Sequence, residues 1–320
     1  HRLPVRDFEA FGLKRLSDPR DLALGDSKSS IQRFQSLKKR PEPGLEFLID
    51  WTERNVPRDR TECCFVTGDS GQFIFEDGRV TAMLDMELGY LGDPLADLGG
   101  FFSRDLTESM GDIPTAIARY ESEIGHPVDR RVVLYHAIRF AMTTPLGTAL
   151  VVADPPVAAE YVQYLAWYLV YLRNPLQLIA HLEGFEIERP DTDFGATESP
   201  YSTAHDALQD RFEAFETKDE FQAYEADGLR RLALYLRQGD RFGRDVWERD
   251  LDDVEVLLGF RPGSWQERDS ALEDFVREAA GTKNREFMQY YVRRLIREEA
   301  LLAPAMRDLV GVDMQTLPLD

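Results

Sequence analysis

The chain has 320 residues, 43% of them apolar, and 58 Asp and Glu against 38 Lys and Arg give it a formal net charge of −20. That is apolar content for one large domain or two ordinary ones. The charge argues against a nucleic-acid or anionic-membrane binder, whose phosphates it would repel.

Residues 5 to 60 have a helical pattern with breaks. Asp18-Pro19 predicts a turn, and Ser29 to Leu37 a short amphipathic helix. Arg40-Pro41-Glu42-Pro43 interrupts the pattern. Leu45, Leu48, Ile49 and Thr52 then recur at helical spacing until Asn55-Val56-Pro57 stops them. The only cysteines, Cys63 and Cys64, are adjacent and would point to opposite faces of a strand. Neither a structural disulfide nor a metal spacing is expected, and a reducing, cytoplasmic setting fits.

The stretch from Phe65 to Phe101 carries the chemistry-bearing residues. Cys63 to Val66 is an apolar run that predicts a strand, and Asp69 and Ser70 follow Gly68 in a tight polar loop. Residues 73–76 and 80–84 predict two strands joined by Glu76-Asp77-Gly78-Arg79, a strong hairpin-turn signal. The return strand delivers Asp85 at its end, with Glu87 just beyond. Gly92-Asp93-Pro94 and Asp97 follow in what the pattern makes a polar loop. Asp77 is a turn residue, and Asp93 and Asp97 are expected to brace the loop. Asp69 and Asp85 differ because they flank one hairpin. A loop carboxylate and a second at a strand tip suit the holding of a metal between phosphate oxygens.

Further on, Thr115 to Ile124 predicts a helix ended by Gly125-His126-Pro127. Asp129 is placed to cap the next, which carries Val132, Val133, Tyr135, His136, Ile138 and Phe140. His136 is read as a core or pocket-wall histidine. Asp154-Pro155-Pro156 separates this helix from an aromatic one holding Tyr161, Tyr164, Trp167, Tyr168 and Tyr171. The apolar run from Tyr161 to Leu172 falls short of the 18 or so residues of a membrane span and predicts a buried helix. Residues 186–204 are polar, contain Pro and Gly and lack periodicity, the best linker in the chain. Helices are predicted over 205–238, 244–258, 265–280 and 283–310, with no constellation of catalytic residues among them.

The stretch Thr67-Gly68-Asp69, Gln72, Asp85-Met86-Glu87, Gly92-Asp93-Pro94 and Asp97 resembles the aminoglycoside phosphotransferase and choline kinase superfamily, relatives of the protein kinases, in the branch linked to acyl-CoA dehydrogenases. The resemblance implies an α+β, mostly helical fold. Residues 1–185 would form a kinase-like C-terminal lobe with a catalytic β-hairpin, and 205–320 an all-α accessory module beyond the 186–204 linker. It implies Asp69 as the catalytic base and Asp85 as the main Mg2+ ligand. Gln72 stands nearest the family's metal-binding Asn, and Thr67 stands where the family has His. Glu87, Asp93, Asp97 and His136 would contact substrate or support the site.

His1-Arg2-Leu3-Pro4 resembles the passage that follows the family's nucleotide-binding lobe. No Gly-rich loop or strand-borne lysine precedes Asp69, so that lobe is expected to be absent from this chain. The implied activity is transfer of phosphate from ATP to a hydroxyl of a small molecule, a hydroxyacyl-CoA-type metabolite before an aminoglycoside. The alternative is an impaired pseudokinase that serves as a binding or scaffold protein. The helical tail is expected to offer a surface to a protein partner or a second copy, and neither nucleic acid nor membrane is an expected partner.

Overall fold

A computed structural model describes residues 1–319. The protein is α+β and mostly helical. Four helices come first: α1 (Val5–Glu9), α2 (Pro19–Leu24), α3 (Ser27–Leu37) and α4 (Pro43–Arg54). Asp18-Pro19, expected to make a turn, instead starts α2. The Asp18 carboxylate accepts from the N–H groups of Arg20 and Asp21, and Pro19 fills the first helical position.

Four short strands follow: β1 (Cys64–Val66), β2 (Phe73–Glu76), β3 (Arg79–Met83) and β4 (Tyr90–Gly92). β2 and β3 form the predicted hairpin. Asp77 and Gly78 both have positive φ, 49° and 74°, which a two-residue turn of matching twist requires. β1 pairs antiparallel with β4, where the sequence pattern suggested only loop. A small apolar cluster of Cys64, Val66 and Ala96 lies beneath this pair.

The helical body comprises α5 (Leu95–Arg104), α6 (Ile113–Ile124), α7 (Arg130–Ala153) and α8 (Tyr161–Glu183). Asp129 caps α7 through the N–H groups of Arg131 and Val132. α7 and α8 are antiparallel neighbours, with Arg131 at the start of one reaching the Leu182 carbonyl at the end of the other. Both are buried almost all round, which explains how they accommodate Pro145 and Pro175: packing outweighs a missing backbone bond in each. α5 crosses α7 where a Cβ on Gly99 would meet the His136 Cβ at 2.5 Å and the Ala137 nitrogen at 2.7 Å.

The C-terminal part holds α9 (Ser202–Glu213), α10 (Glu220–Leu258), α11 (Trp265–Ala279) and α12 (Asn284–Leu302). The expected break between 238 and 244 does not occur. Gly239 and Gly243 lie inside the 39-residue α10, at a cost of about 1 kcal/mol each that the burial of Val246, Leu251 and Val254 outweighs. The chain breaks earlier, at Asp219, whose carboxylate caps α10. Past Leu302 the helix expected to reach 310 gives way to two short 3₁₀ turns.

One buried apolar cluster spans the helical body and α10 to α12 together. Phe287 of α12 is stacked 4.7 Å from Phe47 of α4 and 5.2 Å from Tyr291, contacts worth about 0.5–1.5 kcal/mol each beyond burial. Residues 185–199 have no helix or strand but are held in place. Arg249 donates to the Asp193 carbonyl at 2.8 Å, and Gly195 N–H donates to Asp245 at 2.9 Å. The tail after α12 returns along α8: Met314 N–H donates to Asn174, and Gln315 reaches Asp105 beyond α5.

Candidate active site

The site is built at the open end of the β2–β3 hairpin. Leu84 N–H donates to the Gln72 carbonyl at 2.8 Å, extending the hairpin by one rung, and Gln72 N–H donates to the Asp69 carbonyl at 3.3 Å. Asp69 and Asp85 therefore leave the same end of one hairpin, on opposite strands. The two segments also touch. Gly68 has φ +78°, and a Cβ there would lie 2.2 Å from the Leu88 carbonyl oxygen, so only glycine lets the 67–71 loop settle on the 86–88 turn.

Asp97 holds that loop from α5. Its carboxylate accepts from Thr67 N–H and Thr67 Oγ1, both at 3.0 Å, and from Gly68 N–H at 3.3 Å. Burial pushes its carboxyl above the ordinary range, and the Thr67 and Gly68 donors oppose that rise. His1 Nε2 lies 3.0 Å from the same carboxylate, and the Ser70 hydroxyl donates to the Asp97 carbonyl.

Asp93 is fully buried. It receives Arg60 Nε at 2.7 Å, His136 Nε2 at 3.1 Å and Leu95 N–H at 3.0 Å, so it closes the N-terminus of α5 and ties it to α7. Burial alone would raise its carboxyl, but the hydrogen bonds from His136 and Arg60 hold it well below the ordinary range. Burial likewise pushes the His136 imidazole below its ordinary value, against the pull of Asp93. The neutral ring donates through Nε2, and its Nδ1 has no partner among the described residues. His136 is wholly enclosed and touches no solvent, so it supports α5 through Asp93 rather than meeting a substrate.

The two central carboxylates have different surroundings. Asp69 is 4% exposed and faces Arg104 at the end of α5, whose Nε lies 2.8 Å and 3.1 Å from its two oxygens while Nη2 closes the fork. The pairing raises the Arg104 guanidinium further. Gly71 lies flat on the Arg104 stem, where a Cβ would meet Cγ at 2.5 Å. Asp85 is exposed, in the left-handed region at φ 49°, and its carboxylate has no hydrogen-bond or ion-pair partner among the described residues. Glu87 sits exposed in the next turn, and the Gln72 carboxamide is likewise without a partner among the described residues.

No group of three or more His, Cys, Asp or Glu is gathered for a metal among the described residues. Asp85 and Gln72 instead offer two unengaged side chains with oxygen donors at neighbouring positions of the hairpin's open end. That number fits Mg2+, which keeps waters and substrate phosphates as its other ligands. It would not retain the ion without them.

Arg104 and Arg60 were not legible as site residues. Each meets its aspartate across 35 and 33 residues of chain. The one local sign is that Arg104 is the lone cation of the helix LADLGGFFSR, whose only other charged residue is Asp97.

Over 96 residues the chain is 30% identical to acyl-CoA dehydrogenase family member 11 of Rattus norvegicus, a stretch that is 29% of this chain and 12% of that protein. The chain thus matches well under two thirds of that relative's length. No family model matches the chain, and no solved structure does. No helix among the described residues is long and apolar enough to cross a membrane.

Proposed function

We propose that this chain carries the catalytic part of a small-molecule phosphotransferase with the kinase-like lobe of the aminoglycoside phosphotransferase and choline kinase superfamily. The observation that carries this reading is the seating of the Asp69 loop against the turn after Asp85, through Gly68 and Leu88, at the open end of one hairpin. Phosphoryl transfer asks a protein mainly for positioning and charge stabilisation, which such a pair of segments can supply. Asp85, with the Gln72 carbonyl, would hold Mg2+, which bridges and neutralises the phosphates of ATP. Asp69 would accept the hydroxyl proton of the acceptor. Asp97 keeps the loop in register, and Asp93 keeps α5 on α7. The partial similarity to a protein named as an acyl-CoA dehydrogenase family member favours a hydroxyacyl thioester over an aminoglycoside as acceptor.

The Arg104 fork on Asp69 favours a second reading. A base committed to a guanidinium accepts a proton poorly, and a chain so arranged would serve as a binding or scaffold protein. The deciding experiment measures Mg2+-dependent ATP binding and ATP consumption by the natural full-length protein against hydroxyacyl-CoAs and aminoglycosides. Turnover that disappears in Asp69→Ala, with the fold intact, supports the transferase. Absence of both nucleotide binding and turnover leaves the scaffold reading.

A further inference from the structure

We propose that the outward face of the first half of α10 is the interface at which two copies of this chain pair into a symmetric dimer. The inference is independent of the phosphotransferase reading.

Three sides of this part of α10 are distinct. One turns inward: the buried Arg231 donates to the Ala305 carbonyl at 2.6 Å and pairs with Glu160 ahead of α8. A second faces α9, which runs back along α10 with Asp206 2.5 Å from Arg237 and His205 3.9 Å from Asp240. On the third, Phe221, Gly228, Leu229, Leu232 and Leu236 recur at helical spacing. Phe221, Leu229 and Leu236 are 71%, 57% and 54% exposed there, an unusual outlay of apolar surface for a helix with water as its only neighbour.

That face has a hollow beside it. Val157, Ala158 and Ala159, across from Tyr224, Gly228 and Leu232, bound a space of about 100 Å³. Small-molecule sites run to about 300–1,000 Å³, so this one takes a single side chain. At Gly228 the helix lies so near the loop that a Cβ would stand 3.1 Å from Glu160 Cγ.

The spacing makes the occupant a second copy. Gly228 and Leu229 are adjacent, and Phe221 and Leu236 lie seven residues to either side of them. In an antiparallel pair of α10 helices with the two-fold axis between Gly228 and Leu229, each Leu229 meets the partner's Gly228 beside the hollow. Each Phe221 then meets the partner's Leu236. Every contact occurs twice, as a closed two-fold interface requires. With Val157, Tyr224 and Leu208 of α9, the exposed side chains present on the order of 700 Å², close to the roughly 800 Å² that one partner contributes to an ordinary specific interface. In a chain of net charge −20, self-association needs a face poor in charge. Glu225 is the one charged residue along the stripe, and it would stand by the partner's Leu232.

Sedimentation velocity of the whole chain, from nanomolar to high micromolar concentration, tests this, with a reversible monomer–dimer equilibrium as the expected result. Leu229→Glu, at an exposed position, should weaken the dimer at least about thirtyfold, as loss of a central interface residue does, with the circular dichroism spectrum unchanged. Gly228→Leu fills the hollow and adds apolar surface. It should weaken a dimer built on this register and would strengthen indiscriminate apolar association. Glu225→Gln should tighten the dimer. Phe221→Lys and Leu236→Glu should each dimerise poorly alone, and a mixture of the two should recover, because it sets the new ammonium against the new carboxylate and keeps one native contact. The proposal is overturned by monomers at every concentration, by a dimer that Leu229→Glu leaves unchanged or Gly228→Leu strengthens, or by a mixture that does not recover.

Discussion

Arg104 closes on Asp69 across 35 residues of chain, Nε 2.8 Å from one carboxylate oxygen and 3.1 Å from the other, at a point where Asp69 is almost hidden from solvent. Arg104→Ala would leave that carboxylate buried without its cation and should cost about 1–3 kcal/mol of stability, read from chemical denaturation. Asp69→Asn keeps the shape and should cost less. If Asp69 is a base restrained by the pair, Arg104→Ala should also raise the turnover rate relative to nucleotide affinity. Turnover lost in both variants alike would make Arg104 a positioning residue.

Asp85 separates stability from activity. Its left-handed backbone favours glycine, so Asp85→Gly should leave thermal stability unchanged or raise it by up to about 1 kcal/mol. The same change should abolish Mg2+-dependent ATP binding, measured by titration of the full-length protein at fixed nucleotide. Retained binding would remove Asp85 from the metal site.

Gly68→Ala tests the seating of the loop without touching a carboxylate. Its Cβ would collide with the Leu88 carbonyl, and the positive φ adds strain, so a loss of about 2–4 kcal/mol is expected. Any transferase activity should fall with it. Unchanged melting and activity would mean that the loop and turn move independently.

His136 gives a pH signature. Burial lowers its folded-state value below the ordinary one, so as pH falls below about 6.5 the unfolded chain takes up the proton first and stability drops. The slope approaches about 1.4 kcal/mol per pH unit. His136→Gln, which can still donate to Asp93, should lose this dependence. The difference between the two proteins from about pH 7 to pH 5 isolates it from the acids Glu42, Asp97 and Glu299, which burial raises and which act in the opposite sense. Parallel curves for the two proteins would refute the assignment.

What could be read beforehand was local. Asp77-Gly78 demands two positive φ angles, so it announced the hairpin, and Asp129 announced the start of α7 because a cap is satisfied by its immediate neighbours. β4 was not legible, since three residues whose partner lies at Cys64–Val66 have no periodicity of their own. The unbroken α10 was missed for the opposite reason: its glycines signal a stop that burial farther along overrides. The Arg104–Asp69 and Arg60–Asp93 pairs are products of the tertiary fold, and nothing in the spacing of these residues marks them.

The tail that returns past α8 has a consequence for how the protein is made. Gln315 bonds to Asp105 and to the Gly111 carbonyl, Met314 to Asn174, and Leu317 is sealed inside with its carbonyl on His181. Arg173, buried in the middle of α8, relies on Glu299, on the Val312 carbonyl and on Asp313 for its counter-charge. A nascent chain on the ribosome thus lacks two of the partners of Arg173, the Val312 carbonyl and Asp313, until residue 313 has emerged. The contacts that the tail makes with α8 and with the segment after α5 therefore form only after translation has passed this segment.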